Sequence, residues 1–117
     1  MVTHKTDEVT ALSTRALLTR RRRLAGRLGE VQQVLAGTLV EQTRRCGKPH
    51  CRCAHGQPHG PYLYLSPRPS VRGKLRYVPA DLVAAVRTRL RRGEQVEAVL
   101  AEIAAINLEL LARRELD

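Results

Sequence analysis

The sequence predicts an α+β fold, mostly helical, and three observations predict it. Leu17, Leu24, Leu28, Val31 and Leu35 recur at spacings of seven, four, three and four, which places them on one face of a helix. Between 62 and 78 the pattern changes to the two-residue alternation of strands. Between these segments, residues 46–60 hold all three cysteines and three of the four histidines, punctuated by glycine and proline, so they form a loop. At 117 residues the chain suffices for one domain with a modest core. With three tyrosines and no Phe or Trp, that core is built from Leu, Val, Ala and Ile, which suits helices.

Taken in order, residues 1–12 are polar and expected to be flexible, and 13–117 form a single small domain. Residues 13–42 read as a helix weakened by Gly26, Gly29 and Gly37, each at up to about 1 kcal/mol relative to Ala. Arg20, Arg21, Arg22 and Arg23 occupy four consecutive positions and so cover every side of that helix. At least one of them lies near the apolar stripe and must reach outward. Residues 43–61 are the Cys/His loop. Residues 62–78 read as a β-hairpin, with strands at 62–66 and 74–78 joined through the turn-forming 67–73. Two strands alone are marginal, so the hairpin needs a helix or the loop to hold it. Tyr62 and Tyr64 share one of its faces, either stacking on bases or filling the hairpin core, with the second expected.

Residues 79–117 read as two helices. Pro79-Ala80-Asp81 suits a helix entry, and Leu82, Val83, Val86 and Leu90 follow at helical spacing. Gly93, after Arg91 and Arg92, reads as a stop. From Glu94, Val96, Val99, Ile103, Ile106 and Leu110 follow a heptad spacing, with Asn107 beside the seam. That seam serves either a helical hairpin with the first helix or a coiled-coil contact with a second copy or a partner protein.

The net charge is +10 and unevenly spread: residues 1–92 hold 19 Lys/Arg against 5 Asp/Glu, and residues 93–117 hold 2 against 6. Such an excess attracts polyanions through phosphate contacts and counterion release. The alternative is a solvated basic surface of no specific purpose. A membrane surface is a poor partner, because no Trp or Phe anchors accompany the charge. No apolar run approaches a membrane span, and the first 13 residues lack the apolar stretch of a signal peptide. The expected location is the cytoplasm, where three cysteines serve as thiolate ligands or free thiols rather than disulfides.

Zinc takes four ligands from Cys and His in a tetrahedron. Cys46, Cys51 and Cys53 supply three. The fourth is His59, His55 or His50. His50 is adjacent to Cys51 and would strain the backbone, and His59 is preferred over His55 because it leaves the chain room to wrap round. Lys48 and Arg52 would help keep the thiols ionised. The alternative is that the cysteines pack as small apolar side chains and the histidines cap turns. Catalysis is not expected: the flanks offer only Glu41 and, far downstream, Asp81 as orienting carboxylates, and no Cys-x-x-Cys pair suggests redox work. The candidate phosphate contacts are Arg20, Arg21, Arg22, Arg23, Arg44, Arg45, Lys48, Arg52, Arg72, Lys74 and Arg76, without sequence readout, since no recognition helix is identifiable.

Cys46-Gly-Lys-Pro-His-Cys-Arg-Cys, followed by His59-Gly-Pro-Tyr and Tyr77-Val-Pro, resembles the bacterial domain-of-unknown-function family 6788. The resemblance covers roughly Gly37 to Arg114 and leaves Arg20 to Arg23 outside. It implies a single α+β module and favours His59 as the matching histidine. Members of that family are often encoded near transposases, which implies a role near DNA and mobile elements but names no substrate.

Overall fold

The computed structural model describes residues 5–117. Helix α1 (Lys5–Ala11) and helix α2 (Thr14–Gly26) precede strands β1 (Gly37–Arg44), β2 (His59–Pro67) and β3 (Arg76–Tyr77), and a single long helix α3 (Val83–Ala112) closes the chain. Short 3-10 turns occupy Arg52–Ala54, Pro69–Val71 and Ala80–Leu82. The class is the expected one, mostly helical α+β. The chain divides into two compact units, one formed by residues up to 33 with 94–117, the other by Val34–Gly93. No helix is long and apolar enough to cross a membrane among the described residues.

The helical unit is built on an aliphatic core. Ser13 caps α2, its hydroxyl accepting the Ala16 N–H at 3.2 Å. Leu17 and Leu24 of α2 bury against Val9 of α1 and Ile106 and Leu110 of α3, with Val99 and Ile103 packed around them. The heptad seam is thus occupied within the chain, as the helical-hairpin reading expects. The flexible-terminus reading is corrected over residues 5–11, which form α1 and place Val9 in the core at 5% exposure. Its residues 1–4 lie outside the described residues.

Arg113 fastens α1 to α3. Its guanidinium donates to the carbonyl oxygens of Leu12 at 2.7 Å and Thr10 at 3.3 Å, to the Thr14 hydroxyl at 3.3 Å and to Glu109 at 3.0 Å. Carbonyls at a helix C-terminus lack intrahelical partners, and a cation there is favourable. Arg113→Ala is expected to cost about 2 kcal/mol, lowering the melting temperature by about 5–10 °C. Arg113→Lys should recover only part, since a point charge cannot bridge four acceptors. Thermal denaturation of both variants checks this.

In the second unit the sheet is antiparallel in the order β1-β2-β3. This corrects two elements of the sequence reading. Residues 37–42, expected to continue the first helix, and 43–44, expected in the loop, form β1. The helix ends at Gly26, Gly29 takes the left-handed region at φ +50°, and Val31 is left half exposed. The β-branched Thr38, Val40 and Thr43 then favour the strand. The hairpin expected over 62–78 is only a two-residue attachment, Tyr64 opposite Tyr77 and Leu65 opposite Arg76. The main partner of β2 is β1, paired from Gly37 opposite Pro67 to Arg44 opposite His59. The Cys/His loop is therefore the connection of the principal hairpin rather than a segment preceding it.

The stop expected at Gly93 is also corrected. Helix α3 runs through it, and Gly93 is buried because the Leu35 backbone crosses there: a Cβ at 93 would lie 2.1 Å from the Leu35 carbonyl oxygen. The Leu35 N–H donates to the Arg89 carbonyl at 3.0 Å at the same crossing. The sequence reads as two helices because Leu90 and Val96 lie about 240° apart at 100° per residue, so the apolar stripe changes face without a break in the backbone.

Candidate metal centre

The paired strands deliver both ends of the loop to one place. Arg44 ends β1 two residues before Cys46, and His59 begins β2. Between Gln42–Tyr62 and Arg44–His59 the register shifts, with one extra residue on β2 at Gly60-Pro61. Gly60 sits at φ +112°, and a Cβ there would lie 3.0 Å from the Gln42 carbonyl oxygen, so glycine suits both the bulge and the close approach.

Inside the loop, Gly47 adopts φ +80°, bending the chain after Cys46. The Cys51 N–H donates to the Lys48 carbonyl at 3.1 Å, and the 3-10 turn Arg52–Ala54 brings Cys53 inward. The Arg45 guanidinium donates to the Gly56 carbonyl at 3.1 Å, drawing the far side of the loop back to the strand end. As a result the ligand atoms of Cys46, Cys51, Cys53 and His59 all lie within 4.8 Å of one another. The Cys46 and Cys53 sulfurs are 3.4 Å apart, and Cys51 Sγ is 3.1 Å from His59 Nε2. The Cys46 N–H also donates to Cys53 Sγ at 3.3 Å. Cys53 is buried, Cys51 half-buried and Cys46 exposed.

This is a cluster that could hold a metal ion, made of the four residues expected from sequence. Of the histidines considered for the fourth place, His59 is the one gathered with the sulfurs. His55 is not in the cluster; it lines a shallow groove with Arg52, Gln57 and Pro58 that Cys53 and His59 also border. The electrostatics suit ligation. The Cys46 thiol is lowered to about 6, first by the Lys48 backbone N–H and then by His59 and the other two thiols. Cys53 also receives a lowering contribution from the Cys46 N–H, but burial and the neighbouring sulfurs outweigh it and raise that thiol. Close thiols of which one ionises readily and its neighbour resists are the expected outcome when like charges share a site without a cation.

The basic residues fall into distinct settings. Arg44, Arg45, Lys48 and Arg52 are exposed around the cluster. Arg44, Arg45 and Tyr62 line a shallow depression that includes Cys46 and His59. Arg72, Lys74 and Arg76 are exposed on the segment entering β3. The run on α2 separates. Arg20 lies 3.8 Å from Glu8, and Arg22 and Arg23 are exposed. Arg21 donates to Asp117 at 2.6 and 3.0 Å and to Asn107 at 2.8 Å. That ion pair raises the Arg21 pKa and lowers that of Asp117 through the hydrogen bond between them. Arg21 has a less exposed side chain than Arg20, and Asn107 beside the heptad seam is its neutral partner. Arg15 and Arg27, which were not among the expected contacts, line one groove of the helical unit with Arg20, Arg23 and the acidic Glu102.

All three tyrosines meet on one face of the sheet. The Tyr77 ring forms T-shaped pairs with Tyr62 and Tyr64, with centroids 6.2 and 5.7 Å away, and the Arg44 guanidinium lies 5.3 Å over Tyr62. Tyr62 and Tyr64 are half-buried, as expected of packing residues, whereas Tyr77 is 54% exposed.

Against family models, the chain matches one described as Domain of unknown function (DUF6788) over residues 14–88. The match begins earlier than the sequence resemblance suggested, so it takes in Arg20 to Arg23, and it ends within α3. No curated protein and no solved structure matches.

Proposed function

The chain belongs to the DUF6788 family, and we propose that it is a small nucleic-acid-binding accessory module whose Cys/His loop is stapled by zinc. Zinc is the ion that the donors suit best. Zn–S and Zn–N bonds near 2.3 and 2.0 Å imply donor separations of about 3.5–3.8 Å in a tetrahedron. The separations of 3.4 and 3.1 Å, and the 4.8 Å limit on all of them, bracket that value. Cys46, Cys51, Cys53 and His59 would hold the ion, which supplies cross-linking rather than reactivity, since all four positions of a structural site are taken by protein.

The observation that carries the nucleic-acid reading is the charge of the segment around the cluster. From Gln42 to Ala80 there are eight Lys or Arg residues and no Asp or Glu. Four of the eight (Arg44, Arg45, Lys48 and Arg52) are exposed beside the ligands. A surface fixed by a metal and free of acid presents its cations to phosphates without internal competition. DNA is the first candidate, in keeping with the transposase neighbourhood that the family resemblance implies.

Phosphate contact makes a quantitative demand. If three phosphates are neutralised, affinity falls about 40-fold between 50 and 200 mM salt. Fluorescence anisotropy with a labelled oligonucleotide across that range measures it. An affinity that does not move with salt would overturn the reading.

A second reading draws on α3, where Leu100, Leu108 and Leu111 are each at least half exposed. It makes the chain a helical interaction module with a purely structural loop. Concentration-dependent dimerisation together with no binding to nucleic acid would favour it.

A further inference from the structure

The sheet gathers its aromatic side chains on one face, and the metal centre uses only one end of it. Residues opposite each other across a ladder project to the same face. Gln42 lies opposite Tyr62, and Tyr64 lies opposite Tyr77, so Gln42 and all three tyrosines share one face. Val40, opposite Tyr64, joins them, while Leu39, Leu63 and Leu65 occupy the other face with Glu41 and Arg76. The aromatic face carries no carboxylate along the paired strands. Tyr77 is 54% exposed, and Gln42 and Arg44 are exposed beside it. Tyr77 meets its neighbours in T-shaped pairs at interplanar angles of 73° and 65°, and it is the most exposed tyrosine of the three. Arg44 already occupies a cation–π position over Tyr62.

We propose that this face is a stacking platform for unpaired bases, so that the nucleic acid bound is single-stranded. The inference rests on the nucleic-acid reading above and adds strandedness to it. Aromatic rings beside a cationic rim are what single strands require: every base has a π-face to lay on a ring, and the backbone follows the charge. A duplex keeps its base faces within its own stack and can offer this surface only phosphates. Tyr77 accepts a base, Arg44 and Tyr62 form the adjacent step, and Arg45 and Lys48 follow the backbone toward the metal loop.

The test uses the metal-loaded full chain with three probes of equal length: a single strand, its duplex, and a single strand of abasic sites. The single strand is expected to bind at least tenfold tighter than the other two. Tyr77→Ala should weaken the single strand by about tenfold and leave the duplex and abasic strand unchanged, while Tyr77→Phe retains binding. An independent readout needs no variant. The protein has no tryptophan, and its three tyrosines all lie on this face, so single-strand binding should quench its intrinsic emission and duplex binding should not. Equal affinity for the three probes with no quenching overturns the stacking platform and leaves the phosphate reading intact. Binding to none of them overturns both. DNA and RNA versions of the single strand, run in parallel, decide which polymer the platform prefers.

Discussion

Natively purified protein is expected to carry about one zinc per chain, and a Cys53→Ser variant is expected to carry none. Cys53 has the largest predicted effect of the four donors. It is almost fully buried, its sulfur lies 3.4 Å from that of Cys46, and it accepts the Cys46 backbone N–H. A serine there offers a harder, shorter ligand and leaves a polar hydroxyl in a buried position. Zinc contributes on the order of 10 kcal/mol to folding in small zinc-stabilised domains, so loss of the ion should disorder the Val34–Gly93 unit. The helical unit has its own core at Val9, Leu17, Leu24, Ile106 and Leu110, and its helical signal should persist. Metal analysis by mass spectrometry beside circular dichroism reads both halves of the expectation. His55→Ala is the control and should keep its zinc. A Cys53→Ser protein with full zinc content would sink the assignment.

The second large effect reverses the usual rule for glycine in a helix. Replacing an interior helical glycine by alanine normally stabilises by up to about 1 kcal/mol. Gly93→Ala is expected instead to destabilise by about 2 kcal/mol, because its Cβ would meet the Leu35 carbonyl oxygen at 2.1 Å and overpacking against backbone outweighs the propensity gain. A loss of that size lowers the melting temperature by about 10 °C. Gly26→Ala is the comparison, since nothing lies within 4 Å of its added Cβ, and it should show no such loss. Thermal melts of the two variants that coincide would contradict the crossing of Leu35 over α3.

The same glycine shows where sequence reasoning reached its limit. Glycine after two arginines reads locally as a helix stop, and nothing within the neighbouring residues reveals that a segment 58 positions upstream crosses at that point. Residues 37–44 were hidden for a related reason. Leu28, Val31 and Leu35 extend the stripe of α2 at helical spacing, although α2 has already ended at Gly26 and Gly29 takes the left-handed region beyond it. The metal ligands were legible because their chemistry is local: three thiols and an imidazole within 14 positions have few alternatives. The choice of His59 over His55 gained support from the strand pairing, which sets His59 opposite Arg44 at the mouth of the loop. The shared tyrosine face was half legible. The two-residue spacing joins Tyr62 to Tyr64, but only the ladder brings Tyr77 across to them.

In polymer terms, residues 45–58 are a tether whose ends must meet before β1 and β2 can pair. For a free chain of that length, the length-dependent part of closing the ring is about 2.3 kcal/mol. Ligation at 46, 51, 53 and 59 divides the tether into short segments, the longest of which spans five unligated residues from 54 to 58. Most of the configurational freedom is then removed by ion capture, a step that can occur among near neighbours in the chain. Strand pairing that follows starts from ends already held together, so the ion fixes the alignment of the two strands as well as the shape of the loop.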